Sequence, residues 1–148
     1  MSFTSLGLSA PILKAVAEQG YDTPSPIQAQ AIPAVLQGKD VMAAAQTGTG
    51  KTFAYLLPIL KQWKFQNTHT PRVLILVPTR ELVVQVAEEV VKLTKHMSVR
   101  TLGVYGGVNI NTQQIEVEKG VDVLVATPGR LFDLIMNGAL KTKYIKKV

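Results

Sequence analysis

The chain has 148 residues, 47% hydrophobic and 18% charged, a size and balance that fit one globular domain burying about two-thirds of the surface its unfolded form exposes. It has no cysteine, which excludes a disulfide framework or a thiolate metal site, and no apolar run near the ~20 residues of a membrane span. The net charge of +6 is uneven: three lysines face three acids in residues 1–60, and thirteen Lys/Arg face seven acids in residues 61–148, as expected of a surface that meets phosphates.

Ser9 caps an expected helix running to Gln19, with Pro11 in its first turn, Gly20 as its stop, and Ile12, Leu13, Val16 and Ala17 on one face. A second short helix starts at Ser25-Pro26. Pro33 and Gly38 bracket another turn or two before a first buried strand at residues 41–44. Apolar runs at 73–77, 99–105 and 121–126 each end in a Gly- or Pro-containing turn and lead into helical periodicity. The clearest helix covers residues 79–94, with Thr79 as cap, Glu81 in the first turn, and Leu82, Val86, Val90 and Leu93 recurring every three or four residues. Strand-then-helix alternation of this kind predicts an α/β domain with a mainly parallel sheet and helices on both faces. Its ligands belong at the carboxyl ends of the strands, in the loops 45–50, 78–80, 106–107 and 127–130.

The first of those loops carries the plainest chemistry. Ala45-Gln46-Thr47-Gly48-Thr49-Gly50-Lys51-Thr52 lies between an apolar stretch and a helix, the setting of a phosphate-binding loop. Glycines at 48 and 50 let consecutive N–H groups converge on phosphate oxygens at the positive end of the following helix. Lys51 adds a charge for the terminal phosphates, and Thr52 a hydroxyl for Mg2+ held through the nucleotide. Ala45 stands where the usual pattern has its first glycine, and its small side chain still permits a tight turn.

Ahead of this loop stands Gly20-Tyr21-Asp22-Thr23-Pro24-Ser25-Pro26-Ile27-Gln28, with Phe3 further upstream. Together with the phosphate loop, this resembles a DEAD-box RNA helicase. The resemblance implies that the Gln28 amide reads the adenine edge, with Phe3 packing on the base and Tyr21 beside it. It continues through Pro78-Thr79-Arg80-Glu81-Leu82, Gly106-Gly107 and Thr127-Pro128-Gly129-Arg130, in the family's order. Pro78, Thr79, Arg80, Gly106, Gly107, Thr127, Pro128, Gly129 and Arg130 are then expected along a single strand of RNA. They would meet phosphates and sugars, which fixes register without reading sequence. The wording of Met1-Ser2-Phe3 and Ala17-Glu18-Gln19-Gly20-Tyr21 is similar to the bacterial RhlE-like branch.

The resemblance implies a RecA-like phosphate-loop fold. Residues 1–38 would be its glutamine-motif helical segment and residues 39–148 an incomplete N-terminal RecA-like domain, in one unit. The expected cofactors are ATP and Mg2+, and the expected partner is RNA, with ribonucleoprotein, ribosome-assembly or RNA-decay proteins as the implied associates. A cytoplasmic, non-membrane location is expected, since the N-terminus lacks a basic and then apolar signal. The family's acidic Walker B strand would begin at Ile145-Lys146-Lys147-Val148, and the second RecA-like domain would follow it. None of the ten acids closes an apolar strand where it could hold Mg2+ with Thr52, so the chain alone is expected not to hydrolyse ATP or unwind RNA. The strand before the phosphate loop is likewise expected to have unpaired edges, because its family neighbours come after residue 148. A non-catalytic nucleotide- or RNA-binding regulatory module is the alternative. A metabolic kinase with the same loop leaves Gln28 and Arg130 without a role.

Overall fold

A computed structural model describes residues 1–46, 48–64 and 69–148. Thr47, one of the expected phosphate-loop residues, lies outside the described residues. The chain divides into two compact units, Met1–Lys64 with Lys92–Ser98, and Phe65–Val91 with Val99–Val148.

The first unit is helical. A single 3-10 turn, Phe3–Leu6, precedes α1 (Ala10–Glu18), α2 (Pro26–Leu36) and α3 (Lys51–Lys61). Its interior is built from Phe3, Ile12, Val16, Ile32, Phe53, Leu57 and Leu60, and the main packing is α2 against α3. α1 and α2 begin where Ser9 and Ser25 predict, each serine extended and each followed by a proline in the first turn. α2 continues through Pro33 instead of ending there. Residues 41–46 form no strand, contrary to expectation, and Val41 to Ala44 are exposed. A parallel strand is held by ladder bonds to neighbours, and the three-stranded sheet does not include this segment, so nothing offsets the cost of extending it.

The second unit carries the sheet. Its strands β1 (Val73–Leu76), β2 (Thr101–Val104) and β3 (Val123–Ala126) are all parallel, in the order β1-β3-β2. Central β3 is buried at every position, which is why Val-Leu-Val-Ala reads as a continuous apolar run instead of an alternation. The path from β1 through α4 (Arg80–Leu93) to β2 advances across the sheet, and the path from β2 through α5 (Ile110–Glu118) to β3 turns back. Right-handed crossovers in opposite directions must place their helices on opposite faces. The packing agrees. On one face Leu74, Val104, Leu124 and Ala126 meet Val117 of α5 and Leu134 of α6 (Pro128–Met136). On the other, α4 comes so close to β2 that a Cβ on Gly103 would lie 2.7 Å from Cγ1 of Val83. No helix among the described residues is long and apolar enough to cross a membrane.

Two features fix the ends of this sheet. At the amino ends, Asp122 is 2% exposed and accepts from Arg100 three times, from the backbone N at 2.8 Å, Nε at 3.0 Å and Nη2 at 2.9 Å. That bonding raises the pKa of Arg100, and burial lowers that of Arg72 nearby. On the outer edge of β1, Lys147 forms a parallel bridge with Val73, and the Leu74 N–H donates to the Lys147 carbonyl at 2.9 Å. Residues 146–147, where the sequence leads one to expect a further strand to begin, thus lie along the outer edge of β1.

Candidate functional site

In the first unit the phosphate loop bends at Gly48 and Gly50, whose φ angles of +82° and +83° are left-handed and strained for any residue with a Cβ. The backbone therefore curls where the sequence places its glycines. Gly50 is also the N-cap of α3, and no side chain caps that helix, so its first amides are left for another acceptor. Lys51 is exposed and Thr52 half-buried in the first turn. Among the described residues the loop is bonded to itself: Lys51 Nζ donates to the Ala45 carbonyl at 2.7 Å, and Thr49 Oγ1 to the Gln46 carbonyl at 2.6 Å.

Gln28 sits against this turn, 4% exposed. As the third residue of α2 its Oε1 accepts from the Ser25 backbone N at 2.9 Å, one half of a capping box, and its Nε2 donates to the Gly50 carbonyl at 3.1 Å. The glutamine therefore ties the start of α2 to the start of α3. Each of its two polar atoms keeps one further bonding direction. Phe3 is buried in the core of this unit, so its ring face is packed against protein. Tyr21 is half exposed, with its ring edge-on to Phe53 at a centroid distance of 5.1 Å.

The remaining expected residues all lie in the second unit, at one level. Leu76 and Val104 both pair with Ala126, so the three strands finish flush, and the Val77 and Thr127 N–H groups make the last cross-strand bonds. Pro78, Gly106 and Pro128 then leave the sheet together and are exposed, as are Thr79, Arg80, Gly107 and Gly129. Thr79 Oγ1 caps α4 by accepting from the Leu82 N–H at 3.2 Å. The Arg80 guanidinium stands 5.2 Å over the ring of Tyr105. α6 begins after an extended Thr127 that makes no side-chain cap, so this helix too presents unclaimed amides. Arg130 is turned inward: Nη1 donates to Gln113 Oε1 at 2.7 Å and Nη2 to the Val108 carbonyl at 3.0 Å.

Gln113 was missed by sequence reasoning. It is buried on α5 four residues before buried Val117, and it donates to the Tyr105 carbonyl at 3.1 Å. The signal available was a polar residue at a core-facing spacing on a helix with few apolar residues. No group of His, Asp or Glu among the described residues could hold a metal ion by itself. The acids nearest to notice are already engaged, Asp122 with Arg100, Glu18 with Lys95 and His96, and Glu116 with Lys119.

Comparison with known proteins agrees with this arrangement. Over 147 residues the chain is 50% identical to the DEAD-box ATP-dependent RNA helicase RhpA of Helicobacter pylori (strain B128), covering 99% of this chain and 29% of that protein. It is 46% identical over 140 residues to the ATP-dependent RNA helicase DeaD of Escherichia coli (strain K12), covering 94% and 22%. Against the probable ATP-dependent RNA helicase ddx27 of Dictyostelium discoideum it is 45% identical over 138 residues, covering 92% and 18%. The chain thus spans less than a third of the length of these relatives. Residues 25–148 match the family described as DEAD/DEAH box helicase, and with a parallel α/β sheet, a glycine-bent phosphate loop and flush strand-end loops, this chain belongs to that family.

Proposed function

We propose that this chain supplies the nucleotide grip and part of the RNA track of an ATP-dependent RNA helicase. The observation that carries the reading is the pair of left-handed glycines leading into an uncapped α3. Such a turn aims backbone N–H groups and the positive helix end at one point, where a polyphosphate fits. Ala45, Gln46, Thr47, Gly48, Thr49 and Gly50 would wrap the phosphates, Lys51 would trade its bond to the Ala45 carbonyl for a terminal phosphate, and Thr52 would face nucleotide-bound Mg2+. When bound, ATP supplies the phosphoryl group whose loss drives the cycle. The spare directions on the Gln28 amide suit the N6 and N7 edge of adenine, with Tyr21 and Phe3 as the nearby aromatics.

Along the strand ends, Pro78, Thr79, Arg80, Gly106, Gly107, Thr127, Pro128 and Gly129 would meet the backbone of single-stranded RNA through hydroxyls, amides and one exposed cation. That contact set ignores base identity. Ribonucleoprotein, ribosome-assembly or RNA-decay proteins are the partners such a helicase would join in the cytoplasm. The RhlE-like branch belongs to the same proposal, on the wording of residues 1–3 and 17–21. Hydrolysis needs a carboxylate on Mg2+ and a group that orients water, and the ten acids of this sequence include none at the end of an apolar strand. The 148 residues alone therefore bind nucleotide without turning it over.

Calorimetric titration with ADP and GDP tests the reading. The expected result is preference for ADP, with Gln28→Ala reducing it to near indifference and weakening ADP about tenfold, the loss of one bidentate pairing. Equal affinity for both bases in the unaltered chain would move the assignment to another class of phosphate-loop protein.

A further inference from the structure

Arg130 and Gln113 do something the motifs do not announce. The Arg130 side chain is only 9% exposed, its two Nη atoms are spent on Gln113 and on the Val108 carbonyl, and its Nε lies 3.7 Å from an Asp133 carboxylate oxygen. At 9% exposure little of this guanidinium is open to a phosphate, although Nε has no hydrogen-bond partner and each Nη keeps a second N–H. Gln113 in turn reaches the Tyr105 carbonyl, and the Tyr105 ring lies under Arg80. One continuous path therefore runs from Arg80 at the end of β1, through Tyr105 after β2 and Gln113 on α5, to Arg130 after β3, and back to Val108 beyond the glycine pair. Every member lies in the sheet-bearing unit.

We propose that Gln113 is the positioning residue that assembles the three strand-end loops into one RNA track, and that Arg130 acts through it instead of touching the strand. The inference rests on the RNA reading above. The amide is suited to this role because it donates and accepts at once: a carboxylate would lose the donor to Tyr105, and an apolar side chain would leave the buried guanidinium without its partner. Val108 and Tyr105 flank Gly106-Gly107 in sequence, so anchoring both carbonyls fixes where those two exposed amides point.

The test uses the 148-residue chain and a fluorescent single-stranded oligouridylate, measured across a salt series. Gln113→Leu and Arg130→Gln are each expected to weaken binding about tenfold, and the double variant to be no weaker than either single, because both break one path. The slope of log affinity against log salt stays at its original value in Arg130→Gln. A direct phosphate contact would instead lower that slope by about 0.7 and make the two losses add, overturning the proposal. Gln113→Glu keeps the acceptor for Arg130 and should fall between the unaltered chain and Gln113→Leu. A second readout needs no RNA. In amide NMR spectra, Gln113→Leu should shift Gly106, Gly107 and Gly129 while the β3 amides hold their positions. If the three glycines do not move, the network does not position the loops, whatever the RNA result. If the unaltered chain binds no RNA although Gln113→Leu moves the glycines, it is the RNA reading that fails.

Discussion

The phosphate loop and the strand-end loops are made of similar residues, glycine, threonine and basic side chains, yet they are held in opposite ways. In the phosphate loop two side chains that a ligand would meet are bonded to the loop's own carbonyls, Lys51 to Ala45 and Thr49 to Gln46. The strand-end loops leave Arg80, Gly107 and Gly129 exposed, and their supports lie behind them, in the register of the sheet and in the path through Gln113. A ligand at the first site must exchange bonds with the protein, whereas one at the second finds its partners already set. The first arrangement favours selectivity, since only a group that matches each broken bond gains on balance. The second favours tolerance, as suits backbone contacts.

The largest effect expected from this contrast lies at the opposite end of the sheet from the strand-end loops. Asp122→Ala removes the acceptor of three Arg100 bonds at the foot of β3 and should cost the sheet-bearing unit about 3 kcal/mol, the lower end for a broken buried pair because Arg100 can still reach water. Chemical denaturation followed by β3 amide signals checks it. Loss of RNA binding together with retained nucleotide binding would sharpen the contrast, and equal loss of both would break it. Next in size, Lys51→Ala should weaken ADP by about 2 kcal/mol, the usual worth of a hydrogen bond to a charged group, and leave oligouridylate affinity unchanged. Parallel titrations of the two ligands measure it, and a matching fall in RNA affinity would contradict the separation.

The smallest effect concerns pH. The hydrogen bond to His96 holds the Glu18 carboxyl below its ordinary pKa of 4.5. A depressed pKa in the folded chain means that the carboxylate adds stability above about 4.5 and loses it as pH falls through the lower folded value. Both partners are on the surface, so Glu18→Gln should flatten a shallow acid limb in the melting temperature below about pH 4.5 and lower neutral-pH stability by the same small amount. A large change at pH 7 would show that the contact matters more than its exposure allows.

Much of the fold was legible because local signals and packing agree. The buried run at β3, the heptad-like spacing of α4 and the serine-proline starts of α1 and α2 each specify one conformation without help from distant residues. The segment 41–44 was read as a strand from its apolar composition, but composition supplies side chains and not ladder partners, so residues 41–46 lie outside the sheet. The loops were legible as motifs through their glycines and prolines. What those motifs hid was the direction of a side chain: Arg130 reads as a surface cation in sequence and is turned inward in the fold. Its partner Gln113 escaped notice because the core-facing spacing it shares with Val117 is a weak signal on a helix with so few apolar residues. Only the parallel register, which brings the ends of all three strands to one level, makes their meeting visible.

The central claim is that the turn at Gly48 and Gly50 grips a polyphosphate. Titrating the natively folded chain with ADP while following the amide resonances of those two glycines tests it most directly. Saturable shifts at both, reached in Lys51→Ala only at about thirtyfold higher ADP, are the predicted result, and a folded chain whose glycine resonances stay still at saturating ADP would contradict it.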